Sequence, residues 1–355
     1  MTVVHQLLSG AGPHDAITTE AGVFRAHFTA WGWGGEDHAY RIHPRLDAPI
    51  QPAAALTPAP DDVVLLHHSA GWPRLDDVLT LPGRKLLLYH NVTPAAWFWV
   101  DVPGLAAHCQ LGRDQLTALV AAADATAADS AFNAGELAAY GAANTVVVHL
   151  LLDRARLGAG DPVVTGTARR TAGIRVLFVG RLSPHKRQDE VIRAFGLYRR
   201  VHDPAAVLTL VGDPIGERYV EELRALADRY APGAVTIESG LSEAELAARY
   251  RGADVFLCLS EHEGFCIPLL EAFSFGVPVI ARPAGAIPEV AGDAALLVPD
   301  ADPVVVAELI ALLAEDAPLA QELIRRGSER LRAFAPEAIA PRLAAAVRAA
   351  ERVAA

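Results

Sequence analysis

With 355 residues, 52% of them apolar, the chain is long enough for two domains with substantial cores and too hydrophobic to be disordered. A formal net charge of −11 argues against non-specific nucleic-acid binding and against a polybasic membrane surface, although peripheral membrane contact of another kind stays open. No apolar run approaches the ~18 to 20 residues of a membrane-spanning helix. The opening MTVVHQLLSG lacks a basic n-region, so the expected location is the cytoplasm. Cys109, Cys258 and Cys266 are odd in number and lack metal-ligand spacing, which argues against a disulfide framework and a structural zinc site.

In chain order, VVHQLL (3–8) predicts a strand, followed by a glycine-containing turn and a helix through ITTEAGVFRAHFTAWG (17–32). DVVLLHH (62–68) and KLLLYHN (85–91) predict buried strands. An alanine-rich helical region (105–128), a short segment near 128–130, a helix from about Asn133 and a strand TVVVHLLLD (145–153) complete the first half. Residues 153–174 lose periodicity and collect Gly, Thr, Arg and Pro, the pattern of a linker.

The alternation then restarts. IRVLFVG (174–180), AVLTLVG (206–212), VTIES (235–239), VFLCLS (255–260), VPVIA (277–281) and AALLVP (294–299) predict strands. Helices are expected at 189–200, 217–230 and 242–250, with two alanine-rich helices closing the chain. Strands alternating with helices imply parallel sheets covered on both faces. The expected fold class is α/β, with two tandem Rossmann-like domains and a cleft between them. Residues 1–152 and 175–335 form the domains, and a terminal helix (336–355) returns toward the first.

Three stretches carry chemistry. SGAGPHDA (9–16) follows a strand and opens a helix, with Gly10 and Gly12 placed as in a dinucleotide fingerprint but Asp15 in the third glycine position. It reads equally as a phosphate loop or as a plain strand-to-helix turn. In GRLSPHKRQDEVIRAF (180–195), Arg181 and Lys186 sit at a strand's carboxyl edge, where two cations can clamp a diphosphate. In SEHEGFCIPLLEAFSFG (260–276), Pro268 suits a first helical turn, and the amides of 264–267 can face an anion. Glu263 and Glu271 flank that cradle, as carboxylates that accept from sugar hydroxyls would. The D-x-D of Asp300 and Asp302 reads as a helix cap, not a metal site.

Together, the glycine of VGRL, the Arg181/Lys186 pair and the E-x7-E spacing of Glu263 and Glu271 resemble retaining glycosyltransferases of the GT-B fold, family 4 (group 1). GLSEAELAARYRGADVFLCLSEHEGFCIPLLEAFSFGVPVIA (240–281) resembles that family's nucleotide-sugar region, and YHNVTPAAWF (89–98) its acceptor-side loop. The resemblance implies a transferase moving a sugar from a nucleotide-diphosphate sugar to a carbohydrate or small-molecule acceptor, with retention and without a metal or other cofactor. It implies that Arg181 and Lys186 bind the diphosphate and stabilise the leaving group, that Glu263 contacts the sugar and that Glu271 contacts the ribose. It places Gly264, Phe265, Cys266 and Ile267 on the sugar and phosphates through their amides, and Leu241 near the base. From the first domain it implies that His90 faces the transferred sugar. GPHDAI (12–17) resembles the family's first loop, with Gly12 on the donor, Asp15 and Asn91 on the acceptor side, and His14 where relatives often carry glycine.

Other readings are a GT-B phosphorylase or epimerase-like enzyme, or a non-catalytic sugar-nucleotide binding protein. An NAD(P)-dependent oxidoreductase would use SGAGPHDA with Glu36 or Asp37 on a ribose. Nucleobase, sugar, acceptor and oligomeric state are not legible.

Overall fold

The computed structural model describes residues 1–13, 15–151, 158 and 173–352. The chain divides into two compact units. The first comprises Met1–Trp99, Pro103–Leu151 and Phe334–Ala355, and the second Val100–Val102 with Leu152–Ala333. The expected linker (153–174) lies outside the described residues except for 158, 173 and 174.

Unit 1 holds seven strands: β1 (Val4–Leu8), β2 (Asp37–Ala39), β3 (Ile50–Pro52), β4 (Val63–His68), β5 (Arg84–Tyr89), β6 (Ala125–Ala128) and β7 (Val146–Val147). They pair in parallel in the order β3-β2-β1-β4-β5-β6-β7. Central β4, VVLLHH, is buried at every residue because helices cover both faces of a parallel sheet. Unit 2 holds β8 (Arg175–Val179), β9 (Val207–Val211), β10 (Val235–Glu238), β11 (Val255–Cys258), β12 (Val279–Ala281) and β13 (Ala295–Leu297), ordered β10-β9-β8-β11-β12-β13. Counted within unit 2, this is the doubly-wound order 3-2-1-4-5-6, whose direction reverses between β8 and β11.

Helix starts follow local chemistry. Asp15 caps Ala16–Ala30 through Thr18 N, and Ser242 forms a capping box with Glu245 at Glu243–Gly252. Asp302 caps Pro303–Glu315 by accepting from Val304 N and Val305 N, which gives the D-x-D pair a structural job.

Four sequence expectations need correction. The helical region 105–128 is two helices, Pro103–Asp114 and Leu116–Ala122, followed by strand β6. Alanine favours helix locally, but pairing with β5 and β7 overrides that preference. β2 and β3, three residues each, are too short to show a period. Of the stretch 145–153, whose described residues end at 151, Val146–Val147 alone is strand among those described. The C-terminus has three helices instead of two: Pro303–Glu315, Ala317–Arg330 and Pro336–Glu351, with the first break at Asp316, which caps the second. The last helix buries Ile339, Leu343, Ala346, Val347 and Ala350 among Val4, Phe24, Val63, Leu65, Leu86 and Leu88 of unit 1.

Candidate functional site

In unit 2, β8 and β11 lie side by side, so the loops leaving their carboxyl ends flank the point where the strand order reverses. That crevice is where open α/β sheets bind ligands. The loop after β8 carries Arg181, exposed, then a short 3-10 turn, Pro184–Lys186. The Arg181 carbonyl accepts from Gln188 Nε2 at 2.9 Å, which ties the loop's start to the following helix. Ser183 Oγ and His185 Nδ1 meet at 3.2 Å. Burial, with Lys186 beside it, pulls the His185 imidazole down to about 2, so this ring stays neutral next to the two cations.

Lys186 joins the two loops. Its Nζ donates to Glu263 Oε2 at 2.6 Å, and the two side chains are 17% and 8% exposed. Burial alone would lower the ammonium, but the Glu263 carboxylate outweighs it and holds Lys186 above its ordinary range. Glu263 is also clamped through its backbone, since its carbonyl accepts from Ala286 N at 3.0 Å. Gly285, at φ +57°, lies so close that a Cβ there would sit 2.1 Å from that carbonyl oxygen, so only glycine fits.

The second loop ends at Cys266, which adopts φ +79° and makes no side-chain capping bond to the helix Ile267–Ser274. A non-glycine residue held in the left-handed region is strained, and such strain concentrates at functional loops. Pro268 occupies the first turn. Glu271, buried on this helix, accepts from the Tyr250 hydroxyl at 2.7 Å. Leu241 lies on the loop after β10, where Gly240 N donates to Asp213 Oδ1 at 3.1 Å. Arg181, Lys186, Leu241, Glu263, residues 264–267 and Glu271 thus share the carboxyl edge of one sheet, and Lys186 and Glu263 are in contact.

The remaining expected residues lie in unit 1, at the carboxyl ends of β1 and β5. Gly12 N donates to Thr18 Oγ1 at 3.1 Å, and Asp15 Oδ2 accepts from Thr18 N and Oγ1 at 2.8 and 2.7 Å. His14 lies outside the described residues. Asn91, at φ +72°, donates from Nδ2 to Asn133 Oδ1 and Glu136 Oε2 at 2.8 and 2.7 Å. The His90 ring has no solvent exposure: Nε2 meets His67 Nδ1 at 3.0 Å, and Nδ1 faces Glu20 Oε2 and Asp129 Oδ2 at 3.3 and 3.4 Å. Asp37, the ribose partner of the oxidoreductase reading, instead pairs with Arg25 at 2.7 Å and accepts from Gln6.

Sequence reasoning missed Tyr250 behind Glu271, because a tyrosine in a helical run carries no local sign of a distant partner. It also missed Cys258, whose thiol lies with Cys266 and a Glu263 oxygen inside a 4.8 Å set. Glu20, His67 and Asp129 were missed around His90 for the same reason: they come from three separate elements.

Comparison with known proteins adds a family resemblance. Residues 167–330, a span that holds every site residue of unit 2, match the family described as glycosyl transferases group 1. The D-inositol 3-phosphate glycosyltransferase of Segniliparus rotundus is 32% identical over 238 residues, 64% of this chain and 51% of that protein. The chain therefore spans about half the length of this curated relative. Sucrose-phosphate synthase from Thermosynechococcus elongatus superposes with a TM-score of 0.76 at 20% identity, covering 98% of both chains. HepE of Anabaena, solved in complex with UDP-glucose, gives 0.75 at 16% identity, covering 98% of this chain and 100% of its own. Residues 167–330 thus resemble the glycosyl transferases group 1, and the chain has a GT-B fold of two parallel-sheet α/β units.

Proposed function

We propose that this protein is a retaining glycosyltransferase that moves a sugar from a nucleoside-diphosphate sugar to an acceptor hydroxyl. The observation that carries the reading is the Lys186–Glu263 pair at the strand-order reversal of unit 2, with Arg181 on the same loop and Glu271 behind the next helix start. Arg181 and Lys186 supply fixed positive charge where a diphosphate takes up the bonding electrons as the anomeric carbon–oxygen bond breaks. Because those charges are supplied by side chains, no divalent cation enters the transfer step in this reading. Glu263 addresses the sugar, Glu271 the ribose hydroxyls, Leu241 the base, and residues 264–267 the phosphates and sugar. His90 of unit 1 is assigned to the transferred sugar. Gly12 lies on the donor side, with Asp15 and Asn91 toward the acceptor.

The transferase reading outranks the oxidoreductase one on specific residues. Asp15 fills the third glycine position of the dinucleotide fingerprint as a helix cap, and Asp37 is held by Arg25. The test is a thermal-shift screen with UDP-, GDP-, ADP- and dTDP-sugars, where a ligand at 100 times its dissociation constant stabilises by about 2.7 kcal/mol. The stabilising donor is then assayed for transfer with and without added Mg²⁺ or Mn²⁺, and the anomeric configuration of the product is read by NMR. A product of inverted configuration, or a rate that requires the added metal, refutes the mechanism. No shift with any nucleotide sugar refutes the donor site.

A further inference from the structure

Unit 1 buries a set of ligating atoms around His90. Glu20 on the helix Ala16–Ala30, His67 on β4 and His90 just beyond β5 are 3%, 0% and 7% exposed. One carboxylate oxygen of Glu20 and one ring nitrogen from each histidine lie within 4.8 Å of one another. Neither Glu20 oxygen has a hydrogen-bond partner among the described residues. A buried carboxylate without donors is costly unless something positive meets it.

The hydrogen bonds around the two rings show where that charge belongs. Gln6 Nε2 donates to Ala21 O and Asp37 Oδ1, both at 2.8 Å, so Gln6 Oε1 is left as an acceptor. It lies 2.9 Å from His67 Nε2, which must therefore carry the proton and leave Nδ1 with a lone pair. His90 Nδ1 faces the carboxylates of Glu20 and Asp129, which suits an N–H there and a lone pair on Nε2. His67 Nδ1 and His90 Nε2 then face each other at 3.0 Å as two acceptors, in rings parallel to within 2°. Two lone pairs at that distance need a proton or a cation between them.

We propose that Glu20, His67 Nδ1 and His90 Nε2 form a binding site for a divalent transition cation, with Zn²⁺ as its best-suited occupant. Two imidazoles and one carboxylate are a three-ligand set that Zn²⁺ accepts, with a water completing the tetrahedron. Bonds of about 2.05 Å place tetrahedral ligands roughly 3.3 Å apart, so the two nitrogens need part by only a few tenths of an ångström. His67 already has Gln6 as a partner on its other nitrogen, and the Asp129 carboxylate lies 3.4 Å from His90 Nδ1, where it can orient that imidazole when a metal binds. Asp129 is itself held by Asn133. Binding Zn²⁺ displaces the shared proton to solvent, so uptake is accompanied by proton release. The site shares His90 with the proposed transfer reaction, so an occupying ion and a sugar would compete for that ring.

The test titrates the chelator-stripped, dialysed full chain with Zn²⁺ against a chromophoric chelator, and measures proton release in weak buffer. One equivalent is expected, together with proton release, a rise in melting temperature and, on Co²⁺ substitution, the visible absorption of a tetrahedral site. Glu20→Gln and His67→Asn should each abolish that equivalent, while Gln6→Ala, which removes the orienting acceptor along with the Gln6 bonds to Ala21 and Asp37, should weaken it by about 10- to 100-fold. Circular dichroism of each variant verifies that it folds. Absence of a stoichiometric site in the wild-type chain overturns the proposal, as does an equivalent retained in both folded Glu20→Gln and His67→Asn. Because the readouts are metal content and protons, they stand whether or not sugar transfer is found.

Discussion

Tyr250→Phe tests the architecture behind Glu271 by deleting a single oxygen. The Tyr250 ring is fully buried and stacks on Phe275 at 5.3 Å with planes 8° apart, contacts that phenylalanine keeps. The hydroxyl donates to Glu271 Oε2 at 2.7 Å and reaches the Pro268 carbonyl at 3.3 Å. The loss therefore falls on one hydrogen bond to a buried carboxylate, which contributes about 1.5 to 3 kcal/mol. Burial and then the Glu271 charge hold the phenol well above its ordinary range, so the donor persists at every working pH and the loss should not vary with phenol ionisation. Urea unfolding should show a lower midpoint at an unchanged m-value. Calorimetry should show nucleoside-diphosphate affinity falling about tenfold, or ~1.4 kcal/mol, as Glu271 loses its fixed orientation. A midpoint shift worth under about 0.5 kcal/mol, the size of an ordinary surface substitution, would show that Tyr250 does not hold Glu271. A full stability loss with unchanged nucleotide affinity would separate Glu271 from the ribose.

Glu271→Ala should weaken binding of the bare nucleotide and of the intact donor alike, whereas Glu263→Ala should spare the nucleotide and depress transfer; equal nucleotide losses in calorimetry count against that division. Gly285→Ala should lower the melting temperature and turnover together, because a Cβ 2.1 Å from the Glu263 carbonyl forces that loop away from Lys186. A fully active, equally stable variant would contradict the clamp. Acid should destabilise unit 1 through His68, which is pulled down to about 4 mainly by burial, although its hydrogen bond to Gly112 opposes this. Its folded pKa lies below the ordinary 6.5, so its contribution is complete above pH 6.5 and is lost as pH falls toward 4, by about 3 kcal/mol at pH 4. Glu20, shifted upward, acts in the opposite sense and loses its contribution as pH rises above 4.5. Urea midpoints from pH 7 to 4 should therefore slope less steeply in His68→Gln; an unchanged slope would remove His68 as the cause.

The sequence by itself determined the strands of both sheets that are long or strongly apolar, because burial on two faces demands runs such as VVLLHH and VLFV. It also placed Arg181, Lys186 and Glu263 on loops at a carboxyl edge and Glu271 on the helix that follows, since strand-to-helix handover is a local matter of Gly, Pro and polar punctuation. Tertiary structure decided what local chemistry leaves open. β6, ATAA, is strand only because neighbours pair with it, and β2 and β3 exist only against β1 and each other. Lys186 meets Glu263 across 77 positions, and Tyr250 meets Glu271 across 21. His67 and His90 lie 23 apart on adjoining elements, and Glu20 joins them from a helix. Contacts of this kind depend on strand order, and strand order is set by packing the whole sheet, not by any window of sequence.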